Sequence, residues 1–228
     1  MASKNSVKLY LQDSFYHIYN RGVEKRSIFL DEQDYSVFLS YLENYLSPKD
    51  NTLLQNIVTS PGSSGKQKDQ AKKLVRLKNY FGQIELLSYA LLPNHFHLLV
   101  KQKESVINSF TNSLGTRYAM YFNKKYQRTG VLFQDVYKAV LVSSEEQLLY
   151  LSKYIHLNPV KWMSYPVTRW REVPYPSSLA DYINGLQSKW ICKEFLLKFF
   201  SKNRYANSYA DFILSPVESE TISRLTLD

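Results

Sequence analysis

The run QIELLSYALLPNHFHLLVKQ, residues 83–102, restricts the fold most: two β-prone segments meet at Pro93-Asn94. Proline presets a turn backbone angle and asparagine tolerates the corner after it, so the two segments fold back as a hairpin. A lone hairpin is marginal in water and needs further strands or a helix layer. The rest of the chain offers both. Residues 14–20, SFYHIYN, alternate aromatic or apolar with polar side chains and run into Arg21-Gly22, which reads as a strand entering a turn. In residues 31–46, Asp31 caps a helix whose apolar face is Tyr35, Phe38, Leu39, Leu42 and Leu46. Residues 104–126 place Ile107, Phe110, Leu114, Tyr118 and Tyr121 on one face of a second helix, and VLFQDVYKAVLV, residues 131–142, reads as another strand. A third helix opens with Ser143 and Glu146 in capping-box spacing, carries Leu148, Leu151 and Ile155 as its core stripe, and is stopped by Pro159.

The order strand, helix, strand, strand, helix, strand, helix defines an α+β chain. Its first six elements match the split β-α-β, ferredoxin-like arrangement: an antiparallel sheet with two helices on one face and the other face open for a ligand or further elements. Residues 48–78 break the pattern with Pro, Gly, Ser and Lys clusters and read as an exposed insertion with a short helix at its end. Beyond residue 160 the chain turns rich in Trp, Tyr and Pro and offers one helix, SKWICKEFLLKFF, residues 188–200. Residues 163–228 are read as an extension packed on the domain.

Composition narrows the function classes. No apolar run approaches the ~20 residues needed to cross a bilayer, and the first residues lack a secretory pattern, so a cytoplasmic protein is expected. The single cysteine, Cys192, allows no internal disulfide and has no cysteine partner for a zinc knuckle. A formal charge of +9 favours a polyanionic partner, since each cation set on a phosphate releases counterions. The 19 tyrosines offer base-stacking surface or ordinary core.

Strand alternation sends His95 and His97 to one face and Phe96, Leu98 and Val100 to the other. Two imidazoles side by side can share a divalent cation, or they can be hydrogen-bonded strand histidines; the pair alone leaves both open. In KYIHLNPV, residues 153–160, Tyr154 and Asn158 lie one helical turn apart. Asn158 can offer a third ligand oxygen and Tyr154 can reach a phosphate held there; equally, the tyrosine can be packing and the asparagine a helix stop.

Together, PNHFHLLV, YIHLNPV, YHIYNRG near the start and YFNKKYQRTGVLFQDVYKAVLV between them resemble the REP-associated tyrosine transposase branch of the TnpA-like single-tyrosine HUH transposases. The resemblance covers roughly residues 8–162. It implies an HUH motif on a central strand with His95, His97 and Asn158 as ligands of Mg2+ or Mn2+, Phe96 as the hydrophobic residue between the histidines, and Tyr154 on the following helix as the nucleophile. It implies a metal-dependent endonuclease and strand transferase acting on single-stranded DNA near hairpins through a 5′-phosphotyrosine intermediate, as a monomer or homodimer. A hairpin-binding relative without turnover and a metal-dependent nuclease using water are the alternatives. Candidate phosphate contacts are Arg21, Lys25 and Arg26 after the first strand, Lys124, Lys125 and Arg128 after the second helix, and Lys138. His156, two residues beyond Tyr154, is turned about 200° from it on a helix and is expected to face elsewhere. His17 is read as supporting the sheet.

Overall fold

A computed structural model describes residues 10–186, 188–200 and 208–215; residues 8–9 of the motif-bearing region and the remainder of the 163–228 extension lie outside the described residues. Four antiparallel strands form one sheet in the order β2-β3-β1-β4, with β1 at Ser14–Arg21, β2 at Ile84–Leu92, β3 at His95–Gln102 and β4 at Lys138–Val142. The histidine-bearing β3 is therefore central, hydrogen-bonded on both sides. The run 131–142 is strand only over its last residues: Gly130 adopts φ 86°, and the segment after it meets the end of β1 and the turn beyond through the isolated bridge Gly22↔Phe133 and the bond from Gln134 N–H to Arg21 O.

Helices α1 (Glu32–Leu46) and α4 (Ile107–Lys125) cover the Phe96 face. Asp31 caps α1 by accepting from Asp34 N–H at 3.0 Å. Phe38 of α1 meets Phe96 at 5.1 Å and Tyr118 of α4 at 5.1 Å between ring centroids, which buries the apolar side of β3. Tyr45 and Phe122 join Phe38, Leu42 and Leu114 in the core, whereas Tyr35, Leu39 and Tyr121 sit at its rim.

Helix α5 (Glu145–Trp162) lies on the opposite face. Two expectations about it fail. Its cap is Ser144, accepting from Gln147 N–H at 3.1 Å, and the Gln147 side chain reaches back to Ser143 N–H at 3.0 Å. The helix also continues through Pro159 to Trp162. The missing N–H and the ring clash cost about 3 kcal/mol in an isolated helix, but Ile155, Leu157, Pro159 and Val160 are all buried, and that packing holds the last turn in place.

The insertion is a helical hairpin rather than one short helix: α2 (Asn51–Thr59) and α3 (Gly65–Arg76), the latter with a full capping box between Ser64 and Gln67. Its ends are clamped where Lys49 Nζ donates to the carbonyls of Val75 and Leu77 at 2.7 and 2.8 Å. Within the extension, the predicted helix 188–200 shrinks to α7 (Glu194–Leu197), flanked by α6 (Leu179–Ile183) and α8 (Tyr209–Leu214). The lost helix goes to pairing, since Cys192 N–H donates to Leu86 O at 2.8 Å; earlier in the extension, Pro176 O accepts from Leu91 N–H at 2.9 Å. These bonds cover the β2 edge, which would otherwise present unpaired donors and acceptors.

Candidate active site

On the α5 face, β3 presents His95 and His97, and the register of β1 sets Arg21 opposite His95 and Tyr19 opposite His97, with His17 one pair further on. The pleat therefore gathers three histidines, a tyrosine and an arginine on one patch of sheet.

His97 is completely buried. Burial, together with the neighbouring His17, His95 and Arg21, holds its pKa well below the usual histidine value, so the ring is neutral. His17 Nε2 stands 2.9 Å from His97 Nδ1, the rings stacked at 5.0 Å. On its other side His97 Nε2 lies 3.4 Å from the Asn158 amide nitrogen. An amide NH2 there needs a lone pair on Nε2, which assigns the proton to Nδ1, donating to His17. His95 is oriented in the same manner. Asn94 Nδ2 donates to Lys25 O at 3.1 Å, which turns Asn94 Oδ1 toward His95 Nδ1 at 2.6 Å, so that Nδ1 carries a proton and donates it there.

Helix α5 completes the patch. Tyr154 and Asn158 project from one flank, and the Tyr154 ring meets His97 edge-on at 5.7 Å. Continuation past Pro159 adds the next turn to the same flank: Lys161 Nζ is 5.6 Å from the Tyr154 ring centroid and the Trp162 ring is 5.7 Å from His95.

This donor set fits a divalent cation. His97 is neutral, and both histidines are fixed through their Nδ1 atoms by outer partners, as metal-bound imidazoles generally are. Rotating the Asn158 amide about its last bond brings an oxygen to the position 3.4 Å from His97 now held by its nitrogen. The set of two imidazoles and an amide carries no charge, so the cation's charge must be balanced by the ligand it meets, as a phosphate would do. The nitrogen content suits manganese better than magnesium.

His156 faces away from this patch, as helical geometry requires. Its Nδ1 and Nε2 each lie 2.7 Å from a hydroxyl, Tyr209 and Ser178, and burial lowers its pKa to about 3.

The candidate DNA contacts separate. Arg21 stands beside His95, and its Nε is buried with no hydrogen-bond partner among the described residues. Lys138 on β4 pairs with Tyr19 in register, its Nζ 5.9 Å from that ring. Lys25 and Lys124 are exposed on turns and helix ends, while Arg26 pairs with Glu24 at 3.2 Å and Arg128 donates to Asn123 Oδ1 at 2.9 Å. Lys125 does not serve as a free phosphate contact: its ammonium is held by Asp31 at 2.7 Å and by the fully buried Asp34 at 2.8 Å. Asp34 sets this fate by drawing in Lys125, Tyr121 and Tyr126 together. Sequence reasoning missed Lys161 and Trp162 because Pro159 was read as the helix end. The signal was the four-residue spacing 154, 158, 162.

Residues 63–158, which contain both histidines, the tyrosine and the asparagine, match the family model described as transposase IS200 like. Among solved structures, a REP-associated tyrosine transposase bound to a REP hairpin aligns over 80% of this chain and 86% of its own at 12% identity, with a TM-score of 0.51. A candidate transposase from Deinococcus radiodurans R1 aligns over 66% of this chain and 95% of its own at 17% identity, but its TM-score of 0.28 carries no structural argument. No curated protein matches the chain.

Proposed function

For a chain whose residues 63–158 match the IS200-like transposase family model and whose fold is similar to that of a REP-associated tyrosine transposase, we propose cleavage and rejoining of single-stranded DNA with Tyr154 as the nucleophile. The observation that carries this reading is the convergence, within one chain, of His97 Nε2, Asn158 at 3.4 Å and the Tyr154 ring at 5.7 Å.

His95, His97 and Asn158 would hold a divalent cation. When bound, it supplies positive charge for the non-bridging oxygens of the scissile phosphate. Tyr154 Oη attacks phosphorus in line and loses its proton, the P–O3′ bond breaks, and the departing 3′-oxygen takes up a proton. The products are a 5′-phosphotyrosyl ester and a free 3′-hydroxyl. Because one phosphodiester replaces another, a 3′-hydroxyl attacking the ester restores the tyrosine and joins strands without a nucleotide cofactor. Lys161, its ammonium 5.6 Å from the ring, opposes the negative charge carried by the attacking oxygen. His156 is no general base, since both its nitrogens are engaged by Tyr209 and Ser178. His17 keeps His97 Nε2 turned to the site.

The similar transposase is bound to a REP hairpin, and a hairpin beside the cleavage position is the proposed substrate here as well. Because all four residues come from one chain, a monomer holds a complete site. Incubation with an end-labelled single strand carrying a hairpin, in Mn2+ or Mg2+, should yield a covalent protein–DNA adduct that Tyr154→Phe abolishes. Cleavage that persists in Tyr154→Phe would overturn the assignment of the nucleophile and point to water instead.

A further inference from the structure

His95 has two neighbours that metal binding and tyrosine attack leave unused. The first is Trp162, 45% exposed at the end of α5, with its ring 5.7 Å from the His95 ring. A scattered surface tryptophan needs no explanation. This one lies two helical turns from Tyr154 and one from Asn158, on the flank that faces the histidines. The second is Arg21, held cross-strand from His95 by the β1–β3 register. Its backbone is fixed from two sides, Arg21 N–H donating to Asn20 Oδ1 at 2.9 Å and Arg21 O accepting from Gln134 N–H at 2.8 Å. Its guanidinium joins no ion pair among the described residues, and its Nε is buried without a partner. A buried donor without an acceptor is costly, and so persists only where something else repays it.

We propose that Trp162 and Arg21 form a nucleotide subsite at His95, the indole stacking on the base beside the scissile phosphate and the guanidinium binding that nucleotide's phosphate. The inference rests on the single-stranded DNA reading above. An indole stacks on any base, and its effect is sequence-tolerant. A planar guanidinium matches two phosphate oxygens at once, which a point-charged ammonium does not. Lys161, adjacent to Trp162 and over the Tyr154 ring, keeps the same end of the groove positive. The subsite thus orders one nucleotide against the histidine pair and sets the next phosphate in reach of Tyr154.

Full-length protein carrying Trp170→Phe, Trp190→Phe and Tyr154→Phe retains Trp162 as its one tryptophan of three and cannot turn over. Titration with a short oligothymidylate should quench its fluorescence. Trp162→Ala and Trp162→Leu should each weaken binding about tenfold, with Trp162→Phe within about threefold. Arg21→Gln should reduce the slope of log affinity against log salt by about 0.7, the contribution of one single-strand phosphate. Leucine binding as well as tryptophan, or saturation without quenching, overturns the subsite. Adduct formation by wild type alongside a silent Trp162 removes this inference and leaves the nucleophile assignment standing. Quenching in a protein that never forms an adduct does the reverse, and failure to bind any single strand removes both.

Discussion

Replacing His17 by alanine removes the acceptor 2.9 Å from His97 Nδ1. Both rings are completely buried, so no water reaches the orphaned N–H, and leaving it unsatisfied costs about 1–3 kcal/mol. The His97 ring then gains freedom to turn Nε2 away from Asn158. Loss of such an outer partner of a metal-bound histidine lowers metal affinity about 10–100-fold. The Mn2+ concentration for half-maximal adduct formation should rise by that factor, while the rate at saturating Mn2+ changes far less, because Tyr154 and Asn158 are carried independently on α5. His17→Gln, whose amide oxygen can accept the same proton, should recover most of the loss. Alanine also leaves a cavity under the sheet worth about 2–3 kcal/mol of stability, so urea unfolding is measured in parallel. A folded His17→Ala protein with wild-type Mn2+ dependence refutes the orienting role, whatever happens to its stability.

Other consequences can be measured independently. Among the described residues His156 faces the hydroxyls of Tyr209 and Ser178 and the rings of Tyr182 and Tyr209, and its pKa falls to about 3 from 6.5. Its contribution to stability is therefore complete above pH 6.5 and is lost toward pH 3, by about 1.4 kcal/mol per pH unit. The wild type should lose its urea-stability advantage over His156→Gln across that window; a pH-independent difference would show that the folded histidine takes up a proton. Lys125→Gln should destabilise the fold without altering the salt dependence of single-strand binding, because its ammonium already serves Asp31 and Asp34; a lower salt slope would return it to the DNA contacts. Excising residues 51–76 behind the Lys49 clamp should leave adduct formation intact, as α2 and α3 pack chiefly on each other. Loss of activity in a folded variant would assign that arm to the substrate.

Much of the site was legible locally. Alternation in HFH set both imidazoles on one face and Phe96 on the other, and helical spacing aligned Tyr154 with Asn158. These depend only on the two-residue repeat of a strand and the turn of a helix, which each segment carries within itself. Local rules failed where a distant group decided the outcome. Pro159 stops a solvated helix, but here buried neighbours carry α5 onward to Trp162. Lys125 resembles a surface cation until Asp34, from another helix, is known to lie beneath it. The helix expected over 188–200 gave way to pairing with the β2 edge, which no pattern inside that segment announces.

The sequence by itself determined which side chains share a face: His95 with His97, Tyr154 with Asn158, and the apolar stripes that bury Phe38, Leu114 and Ile155. Only the tertiary structure decided which faces meet. It brought His17 to His97 Nδ1 and Asn158 to Nε2, and turned His156 into a buried link to the extension. It also gathered Arg21 and Trp162 around His95. The physical reason is that periodicity is a property of a few consecutive residues. A hydrogen bond between a strand near residue 17 and another near residue 97 exists only once β1 and β3 have paired in a particular register.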